Sequence, residues 1–252
     1  MKSVVIAMCI SLGCAGIASA ESALTVEGRY WMPQLNADVM VDDDLLSGTE
    51  IDFQDDLGIG DQSFPEARVL WQVGEDDLLR FIYTQASYDG DETLVRTVNF
   101  GGQSYTVGAR VESGMDILYL RLGWQHDFIS LLNDSITIGS LVDAKAFFID
   151  ASLNAPTLAI SESEEFIGGL PTIGATFDFQ PIENVSVFSE ISGMYAGSYG
   201  HLFDGEVGIS IEPIEHFSLV GGYRIFGMQI ELDSDQVELT LGGPFVGGSW
   251  RF

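Results

Sequence analysis

The chain has 252 residues, with 38 Asp and Glu against 10 Lys and Arg and a formal net charge of −28, yet 46% of it is hydrophobic. That balance excludes nucleic-acid binding, which needs clustered Lys and Arg against phosphates. Beyond residue 20 no window of about 18 apolar residues occurs, so the hydrophobicity is not packaged in membrane helices.

In chain order, Lys2 precedes an apolar run from Val4 to Ile17, and Ala18-Ser19-Ala20 precedes Glu21. This reads as a secretory leader, residues 1–20, cleaved before Glu21 to leave one exported domain, 21–252. Both cysteines, Cys9 and Cys14, lie in the leader, so the exported part has no disulfide, thiolate metal site or cysteine nucleophile. Ser11 stands where a lipid-modification motif ahead of Cys14 has an aliphatic residue.

The hydrophobicity after the leader has period two. Leu118, Leu120, Leu122 and Trp124 alternate with Tyr119, Arg121, Gly123 and Gln125, and Val207, Ile209 and Ile211 alternate with Glu206, Gly208 and Ser210. The same parity gives ten segments, about 24–32, 64–73, 78–88, 111–126, 135–149, 166–179, 185–195, 203–212, 217–226 and 238–252. Most have ten residues or more, the length of a tilted strand crossing a bilayer. Four connectors are short (74–77, 127–134, 180–184, 213–216), and five are mostly longer and more polar (33–63, 89–110, 150–165, 196–202, 227–237). Hydrocarbon offers no partner to a free backbone N–H or C=O, so amphipathic strands in a membrane must close on themselves. The expectation is an all-β transmembrane antiparallel up-and-down barrel of about ten strands, eight being the alternative, with turns on one side and loops on the other.

The cations test this parity. Arg29, Arg68, Arg80, Arg121, Lys145, Arg224 and Arg251 all fall opposite the apolar face, as do the acids Glu27, Glu66, Asp143, Asp178, Glu190 and Glu206. A lipid-facing Arg or Lys near the bilayer centre costs about 2–4 kcal/mol. These residues are therefore read as ion pairs bridging a narrow, polar lumen, with a narrow cation-preferring passive pore as the alternative. Tyr30, Trp31, Trp71, Tyr83, Tyr119, Trp124, Tyr195, Tyr223 and Trp250 supply interfacial aromatics, some of which must face inwards.

The chain ends in Gly243-Pro244-Phe245-Val246-Gly247-Gly248-Ser249-Trp250-Arg251-Phe252, with Val246, Gly248, Trp250 and Phe252 on one face. This resembles the closing strand of bacterial outer-membrane β-barrel proteins, the small monomeric porin-like class. The resemblance is specific only over these last ten residues. It implies a Gram-negative envelope protein, monomeric among outer-membrane lipid, with Trp250 and Phe252 as the signal met by the barrel assembly machinery.

The segment 33–63 carries Asp38, Asp42, Asp43, Asp44, Glu50, Asp52, Asp55, Asp56 and Asp61 with no Lys or Arg. Asp42, Asp43, Asp44, Asp52, Asp55 and Asp56 form a candidate site for divalent cations, which want several carboxylate oxygens, but a helix-loop-helix spacing is missing: position 12 from Asp42 is Phe53 and position 6 is Ser47. A simply solvated acidic loop is the other reading. Alternation in 37–42 and 50–53, and the Gly101-Gly102 turn between 94–100 and 103–107, predict hairpins raised above the membrane. Of three histidines, His126 and His216 fall at the turn end, and His201 has Asp204 and Ser198 nearby without a supporting motif. No Asp-x-His occurs. The reading is a non-enzymatic barrel with a structural or surface-interaction role and neither cofactor nor metal, with a surface enzyme acting on lipid or peptide as an alternative.

Overall fold

The computed structural model describes residues 23–40, 49–100, 102–197, 200–232 and 235–252. Residues 1–20, read above as a leader, the acids Asp42, Asp43 and Asp44, and Ser198 lie outside the described residues. The strands are β1 (Leu24–Trp31), β2 (Gln34–Met40), β3 (Ile51–Asp52), β4 (Phe64–Gln72), β5 (Asp77–Thr93), β6 (Val98–Phe100), β7 (Gln103–Tyr105), β8 (Arg110–Leu131), β9 (Ile136–Ala155), β10 (Ile160–Ile182), β11 (Val185–Tyr195), β12 (Gly200–Ile214), β13 (Phe217–Leu232) and β14 (Asp235–Arg251). Ten of them, β1, β4, β5 and β8 to β14, pair antiparallel with their neighbours, and β1 returns to β14 from Thr25↔Arg251 to Trp31↔Phe245. The ring closes where all ten strands pair, β10 with β11 from Ile173↔Gly193 down, and at that level no strand edge faces outward.

A belt of apolar side chains surrounds it. Val26, Val69, Phe81, Leu122, Ala144 and Pro171 fall in one row across six strands. Val207, Ile209, Ile211, Leu219, Ile225 and Val246 continue the outer surface, each at least 44% exposed. Tyr30, Trp71, Tyr83, Trp124, Tyr195, Tyr223 and Trp250 also face out, whereas Trp31 and Tyr119 are buried inside.

Strand lengths and connections depart from the sequence expectation. β8 extends from 110 to 131, β9 runs to 155 and β10 starts at 160, so 150–165 is mostly strand and the link between β9 and β10 is a four-residue turn. The turn-end connections shorten likewise, to 132–135 between β8 and β9 and to 215–216 between β12 and β13. Leu132, Asn133 and Asp134 take left-handed φ of 54–64°, and His216 takes 70°.

The cause is an inversion of amphipathicity along the long strands. On β9 the outward residues pass from Val142, Ala144, Ala146 and Phe148 to Asp150, Ser152 and Asn154, while the inward ones pass from Asp143 and Lys145 to Phe147, Leu153 and Ala155. β8 does the same, with Arg121 inside Leu122 and, further up, Met115 and Val111 inside Asp116 and Glu112. Below the switch the solvent outside is lipid, and above it the solvent outside is water. Each face follows the medium it meets.

At the loop end β1 hands over to β2. Met32 and Pro33 interrupt the strand, Met32 N–H bonds Pro244 C=O at 3.0 Å, and β2 continues along β14 from Gly242↔Gln34 to Gln236↔Met40. A side chain at Gly243 would run into Met32 O and the Pro33 Cα, so only glycine permits this crossing.

Candidate functional site

The interior has two storeys. At the level of the belt, Arg29, Arg68, Arg80, Arg121, Lys145 and Arg224 are each at most 7% exposed, as are Glu27, Glu66, Asp143, Glu190, Asp204 and Glu206. Six cations thus meet six carboxylates, and the interior there is neutral although the chain is strongly acidic. Inward parity puts every one of these residues on alternate positions of its strand, and the narrow ring brings opposite walls within bonding reach.

Glu206 bridges two strands of the far wall, taking Arg29 Nη1 at 3.0 Å and Arg68 Nη2 at 2.6 Å. Arg29 also holds Glu27, and Arg68 Nε donates to Glu66 Oε1 at 2.6 Å. Glu66 in turn accepts Arg224 Nη1 at 2.5 Å. Asp204 receives Arg224 Nε and Lys145 Nζ, both at 2.9 Å, with Arg121 Nη1 at 3.6 Å. Arg121 joins this group to Glu190 at 2.7 Å and to Asp143 at 2.9 Å, and Arg80 completes Glu190. Glu190 and Glu206 sit directly opposite each other on β11 and β12. Each is turned to its own pair of arginines, which offsets the repulsion that like charges across a ladder bring.

Aromatic faces cover the cations from above. Arg29 lies 4.3 Å from the centre of the Phe245 ring, and Arg224 lies 4.8 Å from that of Trp31. Next to Arg224, Trp31, Phe64, Tyr119, Phe147 and Phe226 enclose a cavity of only about 30 Å³. Below the network a polar vestibule of about 260 Å³ faces the turn end, walled by Arg80, Gln125, Thr176, Asp178, Phe188 and Ser249 among others.

The upper storey is apolar, which corrects the expectation of a polar lumen throughout. Leu35, Tyr88, Val111, Met115, Leu153, Met228 and Leu241 point inward there, at most 6% exposed. The two long loops close it. Ile51, Phe53, Leu57 and Ile59 from 49–63, and Leu94, Val98, Phe100 and Tyr105 from the second loop, are buried in the same core. The raised hairpins form, with Asp38↔Asp52 pairing β2 with β3 and Phe100↔Gln103 pairing β6 with β7. They fold into the mouth rather than standing clear of it, because their alternate residues are apolar and the upper strands offer an apolar wall.

Of the sequence-proposed lumen residues, Arg251 lies at the turn end, its side chain half exposed, 3.4 Å from Glu212 and apart from the network. Asp178 is half-buried in the vestibule wall and makes no ion pair among the described residues. Asp204, the acceptor shared by three cations, was missing from that set. Its parity is that of Glu206, two residues on, which was the available signal. Asp204 and His201 lie on opposite faces of β12, His201 outward and exposed, so they do not form a catalytic pair.

Of the six described acids of this loop, Asp52, Asp56 and Asp61 are engaged in holding it. Asp56 accepts Arg96 Nε at 2.9 Å, a cation supplied by the second loop, and this bond holds its carboxyl below the usual aspartate range. Asp52 accepts the backbone N–H of Gln54 and Asp55 at 2.8 Å, and Asp61 that of Leu35 at 2.8 Å. Asp55 is exposed. Asp52, Asp38 and Glu238 lie side by side on β3, β2 and β14. Burial first, and then these neighbours together with Glu50, raises the Asp38 carboxyl. No group of three or more His, Cys, Asp and Glu placed to hold a metal occurs among the described residues.

No protein-family model matches this sequence, and no curated protein matches it. Solved structures do. The outer-membrane protease OmpT of Escherichia coli superposes with a TM-score of 0.61 over 94% of this chain and 99% of its own, at 7% identity. The translocator domain of the autotransporter NalP of Neisseria meningitidis gives a TM-score of 0.48 over 93% of this chain and 90% of its own, at 9% identity. Ail of Yersinia pestis gives 0.43 over 92% and 100%, at 11% identity. At such identities a likeness speaks for architecture and not for activity. The closed ten-strand ring with its apolar belt has the fold of the bacterial outer-membrane β-barrels.

Proposed function

We propose that this chain is a sealed, non-enzymatic barrel of the outer membrane, monomeric in the lipid, which serves envelope structure and surface interaction rather than transport. The observation that carries this reading is the filled interior. A neutral ion-paired layer crosses the ring at bilayer level, and an apolar plug built by both long loops lies above it. An ion entering from the periplasm would have to part paired charges and then cross an apolar core, and both steps are costly. The vestibule ends blindly beneath the network. The apolar belt and the aromatic-ended last strand, with Trp250 and Phe252, fit insertion by the barrel assembly machinery.

Single-channel recording of the purified protein in planar bilayers tests the seal. The expected record shows no stable conductance steps at any voltage short of membrane breakdown. Steady cation-selective steps would overturn the sealed reading in favour of a narrow pore with an acidic outer mouth. Screening against lipid and peptide panels tests the absence of catalysis: turnover that disappears in His201→Ala would establish a surface enzyme.

A further inference from the structure

β10 is longer than the neighbour that follows it. It runs from Ile160 to Ile182, whereas β11 covers only Val185–Tyr195, and the uppermost pair between them is Ile173↔Gly193. β11 then returns through a tight hairpin closed by Ala196 N–H to Gly200 C=O at 2.9 Å. Residues 160–172 therefore pair with β9 alone, and among the described residues no backbone group from another segment reaches their other side.

The ladder fixes which groups are free. A Cβ on Gly174 would stand 2.8 Å from the Ser192 Cα, the close approach of a pair that exchanges no hydrogen bonds. Odd-numbered residues of β10 thus bond towards β11 and even-numbered ones towards β9. Pro171, with no N–H to offer, falls on the odd side. The N–H and C=O groups of Ser161, Ser163, Glu165, Ile167 and Gly169 consequently point into open space, over roughly 30 Å of strand at about 3.3 Å per residue.

The side chains beside this edge define what fits it. Asp116, Asp150 and Glu165 lie in one outward row across β8, β9 and β10, all exposed, and the row stops at the free edge. Three carboxylates side by side repel one another, and a cation in the vacant fourth place relieves them. The row below is Leu118, Phe148 and Ile167, the last 70% exposed. No Lys or Arg occurs between Lys145 and Arg224, so nothing local supplies the cation. A second copy of the same edge would set Glu165 and its neighbouring acids against each other.

We infer that the outer edge of β10 takes up an extended, basic segment of a partner polypeptide as an added strand, with Lys or Arg beside Glu165 and an aliphatic residue beside Ile167. Backbone bonds to the odd-numbered residues supply the affinity, and the carboxylate row supplies the selection. This builds on the surface-interaction reading only in placing the edge from Ser161 to Glu165 outside the membrane, with Ile167 and Gly169 level with the lipid-facing Phe148 and Ala146, and conductance tests the seal separately.

The test uses the full protein in detergent micelles with a fluorescein-labelled ten-residue peptide of alternating Lys and Val. Saturable binding is expected, with slowed amide exchange at Ser161, Ser163, Glu165, Ile167 and Gly169 and unchanged exchange at the even-numbered positions between them. Glu165→Lys, which swaps an attraction for a repulsion, should weaken binding about tenfold. The same peptide N-methylated on one edge should lose binding altogether. Equal affinity for the N-methylated peptide would reduce the contact to charge attraction and overturn strand addition, as would a dimer paired through β10 that shuts the peptide out. Absence of saturable binding would also overturn it while leaving the sealed barrel intact.

Discussion

Asp204 grips Arg224 with both carboxylate oxygens, Oδ1 to Nε at 2.9 Å and Oδ2 to Nη2 at 3.0 Å, from the adjacent strand and entirely inside the barrel. The same Oδ2 also takes Lys145 Nζ at 2.9 Å. One carboxylate therefore holds three strands together, β9, β12 and β13. Asp204→Ala leaves Lys145 without its carboxylate and Arg224 with Glu66 alone, and removing one partner of a buried pair costs about 3–5 kcal/mol. Urea unfolding of the variant from lipid vesicles should show that loss, and a midpoint equal to wild type would remove Asp204 from the centre of the network.

Asp56 and Arg96 clasp the two plugging loops. The Arg96 hydrogen bond lowers the Asp56 carboxyl, so its contribution is fully present above the unfolded aspartate range and disappears as the pH falls through the lowered folded value. Acidification should therefore open residues 49–59 to an acid-active protease at a pH below that range. Asp38 works in the opposite sense. Burial and acidic neighbours raise it, so protonation relieves strain there as the pH falls. Arg96→Ala separates the two, since it should abolish the acid-induced opening and make the loop accessible at neutral pH.

Leu122 and Ser152 face outward, on β8 within the belt and on β9 above it. Leu122→Arg puts a charge into hydrocarbon and should cost about 2–4 kcal/mol in the folding equilibrium into vesicles. Ser152→Arg meets water and should stay within about 0.5 kcal/mol of wild type. Equal effects would place the lipid boundary elsewhere.

Gly243 lies where β14 changes partner. Gly243→Ala forces a methyl group against Met32 O and Pro33 and should destabilise the barrel by about 1–3 kcal/mol, read as a lower temperature for loss of heat-resistant migration. Gly28→Ala, at a site with open space around it, is the matched control.

The alternation of Leu118 to Trp124 against Tyr119 to Gln125 was enough to define strands with an inside and an outside, because lipid tolerates no free backbone group and no lone charge. From that constraint alone follow the ten-strand ring, the belt and the inward parity of Arg29, Arg68, Arg80, Arg121, Lys145 and Arg224. Parity assigns a face but not a partner. That Asp204 rather than Arg251 belongs to the interior network depends on the distance from the strand ends and on which walls meet across the ring. The sequence also carried the inversion on β8 and β9, in Asp116 and Asp150 outside and Met115 and Phe147 inside. A single rule of apolar-out ended those strands early, and only the folded chain shows that the medium outside changes from lipid to water part-way along them. The apolar residues of loops one and two, Phe53 and Phe100 among them, likewise became a plug only because the upper strands turn an apolar wall towards them. The open edge of β10 was invisible in one dimension, since it exists through the shortness of its neighbour.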